Sequence, residues 1–163
     1  MSATETYLAN NRRYAERFSN GTLPMPPGRQ IAVVACMDAR LETGALLGLA
    51  EGEAHVIRNA GGVVTDDVIR SLTISQRLLG TREIMLIHHT DCGMLTFTDG
   101  ELKDAIEKDT GIRPPFATEA FPDLERDLRQ SMARIKASPF ILHKDAIRSF
   151  VFEVETGLLR EVL

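Results

Sequence analysis

Two apolar runs constrain this chain more than anything else in it: "IAVVAC" at 31–36 and "EIMLIHH" at 83–89. Both are strand-length and largely unbroken, and the first is rich in β-branched residues. A strand with no polar face must be covered on both sides, as in a parallel sheet carrying helices on each face. Between them, "AHVIRNAGG" reads as another strand ending in a glycine turn, and "ETGALLGLA" as a short helix. "TDDVIRSLTISQRLLG" predicts a longer helix. Thr65 can cap it, Asp66 and Asp67 suit its positive end, and Gly80 can stop it. Val68, Ile69, Leu72, Gln76 and Leu79 form its inward stripe. Strands and helices alternating at this spacing imply an α/β fold around a central parallel sheet.

The flanks add simpler elements. Residues 4–18 read as a helix with Tyr7, Leu8, Asn11, Tyr14, Ala15 and Phe18 on roughly one face. The breaker-rich "NGTLPMPPGRQ" then cuts it off, so 1–28 form a helical arm and linker packed on this domain or on a partner. Further on, "GELKDAIEKDTG" looks helical and "IRPPFATEAF" is loop. "PDLERDLRQSMARIKAS" is amphipathic, with Leu124, Leu128, Met132 and Ile135 as its stripe and Pro122 at a favourable first-turn position. The closing "SFVFEVETGLLREVL" reads as two strands around a Glu-Thr-Gly turn, a hairpin at the sheet edge. No repeat interrupts the 163 residues, and the whole chain reads as one domain.

Charge and hydropathy remove some functions. A formal net charge of -4, with no Lys/Arg block, argues against a nucleic-acid partner. No apolar segment approaches the roughly 18 residues that would span a bilayer. The first 18 residues lack the apolar centre of a signal peptide, so a cytoplasmic location is expected.

The two cysteines carry the chemistry. Cys36 and Cys92 can be a disulfide, two unrelated buried thiols, or partners in metal or redox chemistry. Cys36 closes the first buried strand; the other run ends in "HHTDCGM", where His89 and Cys92 stand at His-x-x-Cys spacing. In an open α/β sheet, the carboxyl ends of neighbouring strands converge on one crevice. Cys36, His89 and Cys92 can therefore meet there, and two thiolates with one imidazole are a zinc ligand set that leaves a fourth position open. Strand alternation sends His88 and His89 to opposite faces, and His89 is the better placed to share a turn with Cys92. His55 and His143 lack any ligand spacing. Asp38 and Arg40 follow Cys36 at alternate positions. The arginine can grip the carboxylate and keep it ionised. Asp38 can then accept a hydrogen bond from a metal-bound water or, if released, fill the fourth position itself.

The segments "CMDAR", "RNAGG" and "HHTDCGM", in this order and separation, resemble the β-class carbonic anhydrases, particularly their short prokaryotic branch. The resemblance implies one zinc per subunit on Cys36, His89 and Cys92, with Asp38 and Arg40 as a catalytic dyad orienting the nucleophilic water. It also implies a Rossmann-like sheet, a homodimer or homotetramer with swapped N-terminal helices, and reversible hydration of carbon dioxide to bicarbonate. Relatives with the same ligand set hydrolyse carbonyl sulfide or carbon disulfide, which makes those substrates the alternative; a non-catalytic zinc or redox-sensing role is the alternative of another class. Two thiolates should acidify a bound water less than three histidines do, where its pKa is about 7, so activity should rise into the alkaline range. Gly61 and Gly62 of "RNAGG" either floor the pocket or simply make a tight turn, with Arg58 and Asn59 beside them.

Overall fold

A computed structural model describes residues 2–163. Its centre is a five-stranded sheet of β1 (Ile31–Cys36), β2 (Ala54–Asn59), β3 (Glu83–His89), β4 (Ile147–Phe152) and β5 (Leu159–Val162), in the order β2-β1-β3-β4-β5. β1 pairs in parallel with β2 and β3, and β3 with β4; only β5 runs antiparallel, closing the edge hairpin. Five helices accompany it: α1 (Ala3–Ala15), α2 (Thr43–Leu47), α3 (Asp66–Arg77), α4 (Asp99–Thr110) and α5 (Leu124–Ala137).

The apolar runs lie where their composition demands. Ala32, Val33, Val34 and Ala35 are wholly buried, because β1 is flanked by strands on both edges and packed on both faces. On one face Val34, Leu86 and Val151 meet Val68 and Leu72 of α3 and Leu128 and Ile135 of α5. On the other, Val33, Ala35 and Ile87 meet Leu41, Val63, Met94 and Phe121, side chains of turns rather than long helices. This second layer brings loop residues up to the carboxyl ends of the strands.

Local signals act as their chemistry suggests. The Thr65 hydroxyl accepts from the Val68 amide and starts α3, and Gly80 adopts the left-handed φ of 73° just beyond its end. In α5 the cap is Asp123, whose carboxylate accepts from the Arg126 amide. Pro122 therefore precedes the cap instead of occupying the first turn, because an acceptor side chain makes a better cap than anything proline offers. α1 begins one residue earlier than its pattern predicts and ends at Ala15, started by a reciprocal capping box between Ser2 and Glu5. It has no buried residue, and Tyr7, Leu8 and Phe18 are 69%, 55% and 50% exposed.

The chain leaves β1 towards β2 on one side, while β3 lies on the other. This reversal of direction opens a crevice beyond the carboxyl ends of β1 and β3, the usual binding position in open α/β sheets.

Candidate metal centre

Three elements deliver three donors to that crevice. Cys36 is the last residue of β1 and His89 the last of β3; Cys92 follows in the loop after β3. Their ligand atoms all lie within 4.8 Å of one another, and all three residues are buried. The backbone can come this close because residue 62 has no side chain. A Cβ on Gly62 would stand 2.8 Å from the Cys36 amide nitrogen, and its φ of 69° is left-handed. Gly61, at φ 78°, faces Met94 and Phe121 in the same way. The "RNAGG" turn is thus both a tight turn and the floor of the site.

The imidazole is oriented for coordination. His89 Nδ1 lies 2.8 Å from the Thr90 carbonyl oxygen, which can only accept, so the proton sits on Nδ1. Nε2 is left with its lone pair, buried and without a hydrogen-bond partner, on the side of the two sulfurs. A buried acceptor without a partner costs about 1–3 kcal/mol, and a cation here would remove that cost. Holding one ring nitrogen to fix the other is the usual support of a metal-binding histidine. His88 faces the opposite way: its Nε2 lies 2.7 Å from Asp127, and its ring stacks on Phe121 at 5.2 Å.

The sulfurs are prepared likewise. A hydrogen bond from Cys92 holds the Cys36 thiol well below its ordinary pKa against the opposing effect of burial, and His89 and the Asp38 amide lower it further. That same bond, with burial, pushes Cys92 up. Burial alone would lower His89, but the neighbouring Cys36, the Thr90 carbonyl and the Asp38 carboxylate together outweigh this and raise it. The cluster shares protons that a divalent cation would displace, as thiolate sites do on metal binding. Soft sulfur with imidazole in a set of three fits zinc, with one position left for a reactant.

Asp38 and Arg40 stand at the mouth. Arg40 donates from Nε to Asp38 Oδ1 at 3.0 Å and from its terminal nitrogen to Oδ2 at 2.8 Å, and its backbone amide adds a third bond to Oδ1. The Arg40 side chain, then its amide, hold the Asp38 carboxyl well below the usual carboxylate range. Asp38 Oδ2 also lies 3.6 Å from His89 Nε2, so the gripped carboxylate borders the metal position. Arg58 reaches from β2 to the Cys36 carbonyl at 3.0 Å and the Asp38 carbonyl at 2.7 Å, fixing the backbone that carries both residues. A cavity of about 320 Å³ lies over the donors, walled by Met37, Ala60, Gly61, Met94 and Phe97.

Sequence reasoning did not single out Asp91 or Asp127, and it left Arg58 without partners. Asp91 stands between His89 and Cys92, so its position offered a signal; Asp127 lies far along the chain on a helix and offered none.

Fold and site together define an α/β protein with a Cys₂His cluster able to hold a metal ion at the switch point of its sheet. The chain belongs to the carbonic anhydrase family, whose sequence model matches residues 31–134. It is 63% identical over 162 residues to beta-carbonic anhydrase 1 of Mycobacterium tuberculosis, covering 99% of both chains. It is also 33% identical to a carbon disulfide hydrolase of Acidithiobacillus thiooxidans, covering 96% of this chain and 87% of the relative. The crystal structure of carbonic anhydrase from Streptococcus mutans superposes with a TM-score of 0.94 at 42% identity, covering 100% of this chain and 99% of that one.

Proposed function

We propose that this protein is a zinc-dependent carbonic anhydrase that interconverts carbon dioxide and water with bicarbonate and a proton. The observation that carries the reading is the convergence of Cys36, His89 and Cys92, with a lone-pair nitrogen buried between two sulfurs. Full-length similarity to a beta-carbonic anhydrase supports it.

Cys36, His89 and Cys92 would hold zinc, which would supply a Lewis acid that makes water more acidic and so a better nucleophile. The chain contributes the rest. Arg40 keeps Asp38 ionised and facing the metal position. An ionised carboxylate there can only accept, so it takes a hydrogen bond from the attacking water and turns a lone pair towards the substrate carbon. Met37, Met94 and Phe97 offer the mostly apolar wall that a small, linear, uncharged molecule needs. Attack of the water oxygen on carbon forms one C–O bond as one C=O π pair moves onto oxygen, and one O–H bond of the water breaks to release a proton, giving bicarbonate.

Similarity to carbon disulfide hydrolases supports a second reading, hydrolysis of carbon disulfide or carbonyl sulfide at the same centre. The higher identity to a carbonic anhydrase ranks carbon dioxide first. A non-catalytic zinc or redox role ranks below both, because it leaves the Asp38–Arg40 pair without a purpose. Relative kcat/KM for carbon dioxide, carbonyl sulfide and carbon disulfide, with zinc stoichiometry on the same sample, tests all three. A sulfur substrate turned over with the greater kcat/KM would reverse the ranking, and zinc without turnover would favour the non-catalytic role.

The chain works as a single domain in which residues 1–28 form an arm that packs on a second copy in a homodimer or homotetramer. The exposed Tyr7, Leu8 and Phe18 support this. No helix among the described residues is long and apolar enough to cross a membrane. With the proposed activity goes a cytoplasmic enzyme acting on a small dissolved substrate.

A further inference from the structure

Arg40 has more partners than a two-residue dyad requires. Besides Asp38, its guanidinium donates to Asp91 Oδ2 at 2.7 Å and to the Asp91 carbonyl at 3.0 Å. Asp91 lies in the loop between His89 and Cys92, beyond the end of β3, whereas Asp38 follows the end of β1. It adopts the left-handed φ of 53°, which aspartate and asparagine tolerate better than most side chains. One planar cation thus spans both loops that bear the metal-binding residues. Arg40 and Asp91 are 48% and 72% exposed along their side chains, so no surrounding packing holds this bridge in place. Arg58 fixes the Asp38 carbonyl but makes no bond to its carboxylate. The carboxylate depends on Arg40 for direction, and Arg40 depends on Asp91 for its anchor to the opposite loop.

We propose that Asp91 is a positioning residue: by holding Arg40 across the crevice, it keeps the Asp38 carboxylate turned to Arg40 and withheld from the metal. The proposal rests on the reading of Cys36, His89 and Cys92 as metal ligands. Without the Asp91 carboxylate, Arg40 keeps, on that loop, only its bond to the Asp91 carbonyl, and its exposed guanidinium can turn and carry the Asp38 carboxylate with it. Asp38 Oδ2 is already 3.6 Å from His89 Nε2, so a small movement brings it into the coordination position. Asp91 then acts on the reaction only through Asp38.

The test uses the full-length protein loaded with cobalt(II), whose visible spectrum reports its ligands. Asp91→Asn removes the charge while preserving shape and tolerance of the left-handed backbone, and Asp91→Gly serves as a second variant with no side chain. Both should bind cobalt stoichiometrically, show an altered visible spectrum, and lose roughly three- to tenfold in kcat with KM unchanged, the scale of coupling within one ion-pair network. Adding Asp38→Asn to either variant should erase the spectral difference, leaving the spectrum and rate of Asp38→Asn alone. An unchanged spectrum and kcat in Asp91→Asn, or losses from Asp91→Asn and Asp38→Asn that multiply, overturns the proposal. Failure of both Asp91 variants to bind cobalt also overturns it, since Asp91 would then serve the loop itself. If the unsubstituted protein takes up no stoichiometric cobalt, the metal-site reading fails instead, and the two failures are told apart.

Discussion

Cys36, His89, Cys92 and Asp38 crowd one small volume, yet they should respond to substitution in two different ways. Cys36→Ser, His89→Ala and Cys92→Ser each remove a donor and should abolish stoichiometric zinc, as read by elemental analysis. Asp38→Ala should keep zinc and lose about 10- to 100-fold in kcat, the usual scale for a group that orients a metal's surroundings. Full activity in Asp38→Ala would remove the dyad from the mechanism. His88→Ala separates the neighbouring histidines. It should retain zinc but lose about 1–3 kcal/mol of stability in urea denaturation, since Asp127 is left without its ring partner. Asp38 also predicts a pH dependence. Its folded pKa lies below the unfolded value, so its stabilising contribution is complete above the ordinary aspartate pKa and is lost as pH falls through the depressed folded value. The difference in urea midpoint between the native chain and Asp38→Asn should therefore be constant near neutrality and shrink below about pH 4. A gap that widens in acid would refute the assignment.

Elements rather than single side chains set how closely the donors approach. β1, β3 and the turn after β2 pack backbone on backbone at Gly62, with space for no Cβ. Gly62→Ala meets both a left-handed φ and the Cys36 amide, neither of which can yield cheaply. It should lower the thermal midpoint and weaken zinc binding together. Gly80→Ala makes the comparison, because that glycine shares a positive φ but has nothing within 4 Å of a Cβ. It should cost stability while leaving zinc affinity intact. Equal effects on zinc from the two substitutions would show that close approach at Gly62 does not shape the site.

For the whole molecule, the unresolved energetics lie in α1. A helix with no buried residue gains little from tertiary packing, and isolated helices of this length are marginal in water. Tyr14 donates to Glu51, the main polar tie from the helix to the body. Burying Tyr7, Leu8 and Phe18 against a second copy would supply the missing apolar contact at about 1.5–3 kcal/mol for each fully covered large side chain. Leu8→Asp with Phe18→Asp should lower the sedimenting mass to that of a monomer and reduce helicity. A native chain that sediments as a monomer at all concentrations would rule out the arm exchange.

The sequence by itself determined what periodicity and short-range chemistry determine. The continuous apolar runs required a sheet covered on both faces, Thr65 capped its own helix, and the Glu-Thr-Gly turn closed the edge hairpin. These are local facts, since a strand's burial pattern and a cap's hydrogen bond involve residues only a few positions apart. The residue types around Cys36 and Cys92 also limited the chemistry, because few functions use two thiolates and an imidazole. The tertiary structure decided the partnerships. Arg40 joins Asp91 from 51 positions away, Arg58 grips two carbonyls at and just beyond the end of a neighbouring strand, and Asp127 on α5 occupies His88. A guanidinium or carboxylate can satisfy many partners equally well. Which one it meets depends on the register and twist of the sheet, and no pattern along the chain encodes that directly.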